Sequence, residues 1–509
     1  MDYSILFGET VSLAPEEILD EPRYFVDLNL DRVIEAITAG RDEYTLKPFF
    51  YAPLKDVDSI AYRHEVFRDL EDKSTFEHIK SFSEKMRTMR GFLRFAEKFY
   101  YKLQKQRYFL DAVEIFCDTV IRLAQDLSRV ELKSRGLSAF RDYLAGRVES
   151  ENFSALLSET KRLEAEIASL EYCMHIEGGC VSVRLYDSEI DYSSEVEKTF
   201  DKFRQEAVRN YRTNFPDLPE MNHVEARVLD LVAKWRPDLF SNLEDYCAKN
   251  NGFLDDTIAR FDREIQFYLA CLEHVGVFEK KGLRFCYPQI RSEPGEVFVQ
   301  EGFDPALANK LVAEGAPVIC NDFFLKGGER VFVVSGPNQG GKTTFARMFG
   351  QLHYLGVLGC PVPGREAALY LFDRIFTHFE KEEDIRNLRG KLEDDLVRIH
   401  AILEEASTHS IIIMNEIFTS TTLSDATFLS KMIMERIMRL DGLCVWVTFI
   451  DELASWSEKT VSMVSTVIRE NPALRTFRVV RRRADGLAYA MSLAEKHRVT
   501  YGCLVDRIR

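Results

Sequence analysis

From about Ser74 to about Tyr172, apolar residues recur at three- and four-residue steps. Phe76, Ile79, Phe82, Met86, Met89 and Leu93 form one such series; Leu110, Val113, Cys117, Val120, Leu123 and Leu127 form a second; Leu156, Leu163, Ile167 and Leu170 continue it. That period predicts amphipathic helices, and the absence of proline across the region lets them run long and pack on one another. Near Ile176 the period shortens to two: Gly178-Gly-Cys-Val-Ser-Val-Arg-Leu-Tyr186 alternates as a short strand or hairpin does. Helical patterning returns from about Ser193, breaks around Phe215-Pro-Asp-Leu-Pro219 and resumes until about His274. Strand and turn signals at Phe285–Pro288, Ser292–Gly295 and Val297–Val299 then set a domain boundary near 280. Beyond it the apolar runs Val331–Ser335, Ile411–Met414 and Cys444–Thr448 alternate with helical stretches such as Phe345 to about Leu358. Such alternation predicts a mainly parallel sheet with helices on its faces. The expected fold is therefore α plus α/β: a long-helix domain followed by an α/β domain.

A chain of 509 residues exceeds one ordinary core and fits two or three domains. Its apolar and charged fractions, 46% and 29%, are those of a globular protein. No stretch of about 18 apolar residues occurs, which argues against a membrane span. The start, Met1-Asp-Tyr-Ser-Ile, lacks the layout of a secretion signal. Ten cysteines are scattered without paired spacing. Cys173 and Cys180 flank His175, but nothing supplies the remaining ligands of a zinc site, and free thiols in a reducing cytoplasm are the reading preferred. The net charge of −15 opposes nonspecific duplex binding, so any nucleic-acid contact has to come from a local basic patch.

Chemistry concentrates in one segment. Gly336, Pro337, Asn338, Gln339, Gly340, Gly341, Lys342, Thr343 and Thr344 satisfy the pattern GxxxxGK[ST] between an expected strand and an expected helix. Glycines let the backbone curl so that several N–H groups point at phosphates, and the helix start adds the positive end of its dipole. Lys342 can reach the β- and γ-phosphates of ATP, and the Thr343 hydroxyl can ligate Mg²⁺. Downstream, the apolar run Ile411-Ile-Ile-Met414 ends in Asn415-Glu416. In P-loop ATPases a carboxylate at the first of these positions holds the Mg²⁺ shell, and the glutamate after it orients or deprotonates the attacking water. Here Asn415 can hold the metal through a water but brings no charge, while Glu416 remains as catalytic base and metal neighbour.

The loop Gly336–Thr344 resembles the P-loop of the MutS family, usually GPNMGGKST. Asp373-Arg-Ile-Phe-Thr377, Glu382-Glu-Asp384, Asn415-Glu-Ile417, the polar run Thr419–Asp425, and Asn321-Asp322 upstream also resemble family segments. In the helical part, Tyr51–Asp56 and Arg63–Leu70 resemble the start of the family's core and lever region. The resemblance implies an ABC-type ATPase that works as a homodimer, with ATP sandwiched between one P-loop and the partner's signature loop. Thr421, Thr422 and Asp425 would then approach the γ-phosphate; without the resemblance the same run reads as a plain helix cap. It also implies domains at 1–44 (an N-terminal segment), 45–280 (helical core and lever, with a reduced clamp or an unrelated insertion near 173–260) and 281–509 (the ATPase).

Departures from the family pattern matter as much. Mismatch-reading and connector domains have no room before residue 45, so mismatch specificity is not expected. Phe449 follows Thr448 where the family has a histidine, and Val318 or Ile319 stands where an aromatic commonly stacks on adenine. A basic stretch read as one helix, Lys85, Arg87, Arg90, Arg94, Lys98, Lys102, Lys105 and Arg107, is interleaved with Phe99, Tyr100 and Tyr108. It reads either as a solvated face or as a contact to DNA. Arg481-Arg-Arg483 reads as an exposed strand end, and His400 and His409 as helix-surface residues. Two functions follow: an ATPase whose nucleotide state moves helical arms on branched or nonstandard DNA, or a nucleotide-gated, protein-binding scaffold with little hydrolysis.

Overall fold

The structure, a computed structural model, describes residues 3–8, 20–187, 195, 221–293, 295–380, 390–468, 471–484, 500–501 and 504–505. The expected helix from about Ser193 to the break near Phe215, and Glu382–Asp384, lie outside the described residues. Helices and sheets are mixed, as expected, and the largest sheet is mostly parallel. Two compact units emerge: one comprises 1–71, 133–137 and 263–509, the other 72–132 and 138–262.

The second unit, called the arm below, is built on long helices. Lys73–Lys98 and Lys102–Ser128 lie antiparallel, and Glu151–Ala168, Pro237–Lys249 and the first part of Asp256–Glu279 pack with them. Their buried residues include Ile79, Phe82, Met86, Met89, Leu110, Val113, Cys117, Val120, Leu123 and Leu127, which is the stripe the periodicity marks out. The basic stretch is not one helix. The chain turns at Phe99–Tyr101, because Phe99 drops into the interior and packs on Phe95 and Tyr108. Several of its cations are also paired, among them Arg90 with Asp262, Lys102 with Glu244 and Arg107 with Asp111. The two-residue period near 176 becomes a hairpin, β1 (Tyr172–Glu177) and β2 (Cys180–Leu185), joined through Gly178 and Gly179. Both glycines have positive φ, 57° and 82°, as the tight turn of a two-residue hairpin requires.

The first unit carries the remaining sheets. β3 (Phe285–Cys286) pairs with β8 (Val362–Pro363); β4 (Gln289–Arg291), β9 (Glu366–Tyr370), β5 (Val297–Gly302) and β6 (Asn321–Leu325) form a mixed four-stranded sheet in that order. The main sheet has the order β10 (Ile375–Phe379), β11 (Ile411–Asn415), β12 (Leu443–Val447), β7 (Val331–Ser335), β13 (Thr460–Ile468), β14 (Asn471–Arg481). Its first five strands are parallel and β14 is antiparallel to β13. β7, β11 and β12 are buried along their whole length, as strands covered on both faces are. Against them pack the helices Lys391–Glu405 and Leu423–Leu440, around Trp446, Met414, Ile433 and Met434.

Candidate functional site

β7 delivers the chain into the glycine-rich loop, and the helix Lys342–Val357 leads away from it. Gly336 (φ 116°) and Gly341 (φ 94°) occupy backbone conformations that side chains rarely adopt. Gly340 is glycine for a different reason: a Cβ there would collide with the Ser465 hydroxyl of β13 and lie 2.9 Å from the Pro337 carbonyl. The Ser465 hydroxyl instead donates to the Gly340 carbonyl at 2.6 Å. The helix after the loop has no side-chain cap at its N-terminus, so its first N–H groups face the loop's interior.

Lys342 is 5% exposed and its ammonium is ringed by oxygens. It donates to the Gly336 carbonyl (3.0 Å), the Pro337 carbonyl (3.4 Å) and Asn338 Oδ1 (3.0 Å), and Glu416 Oε1 lies 3.3 Å away. The Thr343 hydroxyl donates to Asn415 Oδ1 at 2.9 Å. The structure therefore brings Lys342, Thr343, Asn415 and Glu416 together across 72 residues of sequence between Thr343 and Asn415. This follows from the sheet order, in which β12 alone separates β7 from β11. Glu416 holds φ at 51°, and its N–H is tied to the Val447 carbonyl of β12 at 2.9 Å. A non-glycine residue in that region is uncommon and is held by its surroundings. The oxygens gathered here, one hydroxyl, one amide and one carboxylate, are a donor set suited to a hard cation such as Mg²⁺.

The other expected residues make contacts of their own. Thr422 caps the helix Leu423–Leu440: its hydroxyl accepts the Asp425 N–H (3.2 Å) and donates to Asp425 Oδ2 (2.8 Å). Thr421 precedes it, and among the described residues no hydrogen bond or ion pair joins Thr421, Thr422 or Asp425 to Gly336–Thr344. Val318 packs against Phe278, Phe303 and Ala308. Phe449 is 48% exposed just after β12, next to the buried Thr448, whose N–H donates to the Val334 carbonyl at 3.0 Å. His409 is not on a helix. It sits in the turn before β11 and bonds the Tyr370 hydroxyl at 2.5 Å, because the helix ends at Glu405. Arg481 pairs with Glu329 at 2.5 Å and lies over the Phe324 ring.

Some residues at the loop escape a reading of sequence alone. Ser465, Arg475 and Phe477 belong to β13 and β14, and Arg475 Nε donates to the Asn338 carbonyl at 3.2 Å. His378 and Asp395 form a buried pair at 3.0 Å, and Asp395 also accepts the Phe418 N–H at 3.4 Å. Burial pushes the Asp395 carboxyl upward, but the His378 bond and charge outweigh it and hold the group below its ordinary range. This pair secures the chain just beyond Glu416, where Phe418 also has positive φ.

A parallel strand, a glycine-rich loop, a buried lysine and a neighbouring strand ending in Asn-Glu come together in a protein of mixed helical and α/β architecture. Residues 332–500 match the family model described as MutS domain V. The DNA mismatch repair protein MutS of Fervidobacterium nodosum is 22% identical over 375 residues, which is 70% of this chain and 44% of that relative. The chain is thus similar to the MutS family, most specifically over 332–500, and the matched part spans less than half the length of that relative.

Proposed function

We propose that this protein is an ATPase of the MutS type, in which Gly336–Thr344 is a P-loop and nucleotide state moves the helical arm. The observation that carries this reading is the ring of oxygens around Lys342. The three loop oxygens and Glu416 occupy the donors that the β- and γ-phosphates of ATP would take over. The uncapped helix start beside them supplies N–H groups and a positive dipole end for the same phosphates. Thr343 would hold Mg²⁺ directly and Asn415 through water; the ion supplies neutralisation of charge on the phosphates. Freed from Lys342 by the arriving phosphates, the Glu416 carboxylate is placed to orient and deprotonate the attacking water. Thr421, Thr422 and Asp425 would complete the site across a homodimer, leaving their role as a helix cap. Val318 would border the nucleotide from the segment ahead of β6. The arm would hold DNA, branched or nonstandard rather than mismatched, through the cations of the turned stretch 85–107. The cytoplasm is the compartment this reading assigns.

Lys342→Ala is expected to weaken ATP binding at least tenfold, measured by titration calorimetry; unchanged affinity removes the P-loop assignment. Glu416→Gln is expected to keep ATP binding and lose turnover in a phosphate-release assay, and wild-type turnover would exclude Glu416 as the base. A second reading is favoured by the neutral Asn415 and by Phe449 in place of an imidazole: a nucleotide-gated scaffold for protein partners with little hydrolysis. Tight ATP binding without DNA-stimulated turnover selects it. So does an absence of DNA binding at low salt, where phosphate contacts are strongest.

A further inference from the structure

The segment before β6 presents no aromatic residue to a nucleobase: Val318 and Ile319 stand there, and Val318 packs inward. β14 presents one. Phe477 is 51% exposed at φ 58°, a left-handed conformation that a bulky residue seldom takes within a strand. Its backbone passes directly over the start of the loop helix, so that a Cβ on Gly341 would lie 3.4 Å from the Phe477 carbonyl oxygen. Asn321 of β6 clamps this irregular stretch from the other side. Its Nδ2 donates to the Phe477 carbonyl (3.3 Å), and its Oδ1 accepts the Val479 N–H (2.7 Å). Ser465 on Gly340 and Arg475 on Asn338 fix the same hairpin to the loop at two more points.

The order of strands gives the direction. Thr343, Asn415 and Glu416 mark the metal and γ-phosphate end of the site, on the β11 side of β7. β13 and β14 lie on the opposite side of β7. A triphosphate with its γ end at Glu416 carries its nucleoside toward β14 and β6. We propose that Phe477 is the aromatic residue that receives the base of the bound nucleotide, and that Asn321 is the positioning residue that holds it in place. This rests on the nucleotide-site reading above and adds to it a recognition element for the base.

The test compares ATP with inorganic tripolyphosphate, which shares the phosphates and lacks the base. Wild-type protein should bind ATP more tightly than tripolyphosphate. Phe477→Ala should weaken ATP about tenfold, the scale of one base–aromatic stack, and leave tripolyphosphate unchanged. Phe477→Tyr should retain the preference for ATP, and Asn321→Ala should lose it at unchanged tripolyphosphate affinity. Wild-type ATP affinity in Phe477→Ala overturns the inference, as does an equal loss of both ligands in that variant. Wild-type protein that binds neither ligand, or Lys342→Ala that binds both normally, instead removes the nucleotide site itself and this inference with it.

Discussion

Asn415 ends a strand of four apolar residues, and its amide oxygen accepts the Thr343 hydroxyl in a nearly dry position, 8% exposed. A neutral amide gives a metal-bound water a weaker acceptor than a carboxylate does. Asn415→Asp should therefore lower the Mg²⁺ concentration needed for half-maximal ATP binding, by about tenfold. An unchanged Mg²⁺ requirement would place the metal away from Asn415. At this scale the sequence was legible where the chemistry is local. The glycines, Lys342 and Thr343 are contiguous, and their spacing alone defines a loop that can curl around an anion. Ser465, Arg475 and Asn321 were not legible as parts of one device, because their hydrogen bonds span 125, 137 and 158 residues. No local pattern distinguishes a serine that braces a glycine from any other strand serine.

The helix Lys342–Val357 is buried over nearly its whole circumference, including Phe345, Met348, Phe349, Leu352, Tyr354 and Val357. A helix apolar on all sides needs a cover on all sides. Part of that cover is the segment from Asp27 to Phe50: Arg347 Nε donates to the Asp27 carbonyl (2.9 Å), Gln351 to Leu28 (2.7 Å) and the Tyr354 hydroxyl to Phe50 (2.7 Å). The existence of the helix could be read from its place after a strand and a glycine-rich loop. Its cover could not, since those acceptors are main-chain carbonyls that any residue would offer. Arg63 closes the far end. It is fully buried, donates to the Leu358 carbonyl at 2.7 Å and to the Leu6 carbonyl at 3.2 Å, and lies over the rings of Phe7 and Phe267. Burial lowers its pKa, yet the cation sits where the helix dipole is negative. Arg63→Ala should cost about 3 kcal/mol of stability through the cavity and the carbonyls left unpaired, measured by chemical denaturation. A loss within experimental error would show the guanidinium to be dispensable.

Buried titratable groups in the two compact units are expected to make their stabilities depend on pH with opposite signs. In the first, burial lowers the pKa of His64, His274 and His353 from 6.5 to about 4, with Arg68 adding to the effect at His64. A depressed pKa gives a contribution to stability that is present above pH 6.5 and lost as pH falls through about 4. In the arm, burial and then the neighbouring Glu114 raise Glu164 from 4.5 to about 8. A raised pKa gives a contribution fully present below pH 4.5 and lost as pH rises through about 8. Scanning calorimetry from pH 8 down to 5 should therefore show the arm's transition rising, while the first unit's falls below pH 6.5. Glu164→Gln should flatten the arm's trend, and a trend unaltered by that change would locate its cause elsewhere. No helix among the described residues is long and apolar enough to cross a membrane. At this largest scale the order of helices and strands was readable from period. The assembly of the first unit from three separated stretches of chain was not, because periodicity reports which face of an element is buried and not what buries it.

Arg63 also sets a timetable. Its acceptor at Leu358 lies 295 residues further along the chain. At about 5–20 residues per second, a ribosome needs roughly 15–60 s to make that stretch. All of 72–262 is synthesised within the interval, so every internal contact of the arm is available while the base still lacks its main sheet. The newborn polypeptide must carry its first 71 residues for that time without the helix Lys342–Val357 that they cover. A ribosome that stalls between 263 and 357 leaves a finished arm attached to an unfinished base.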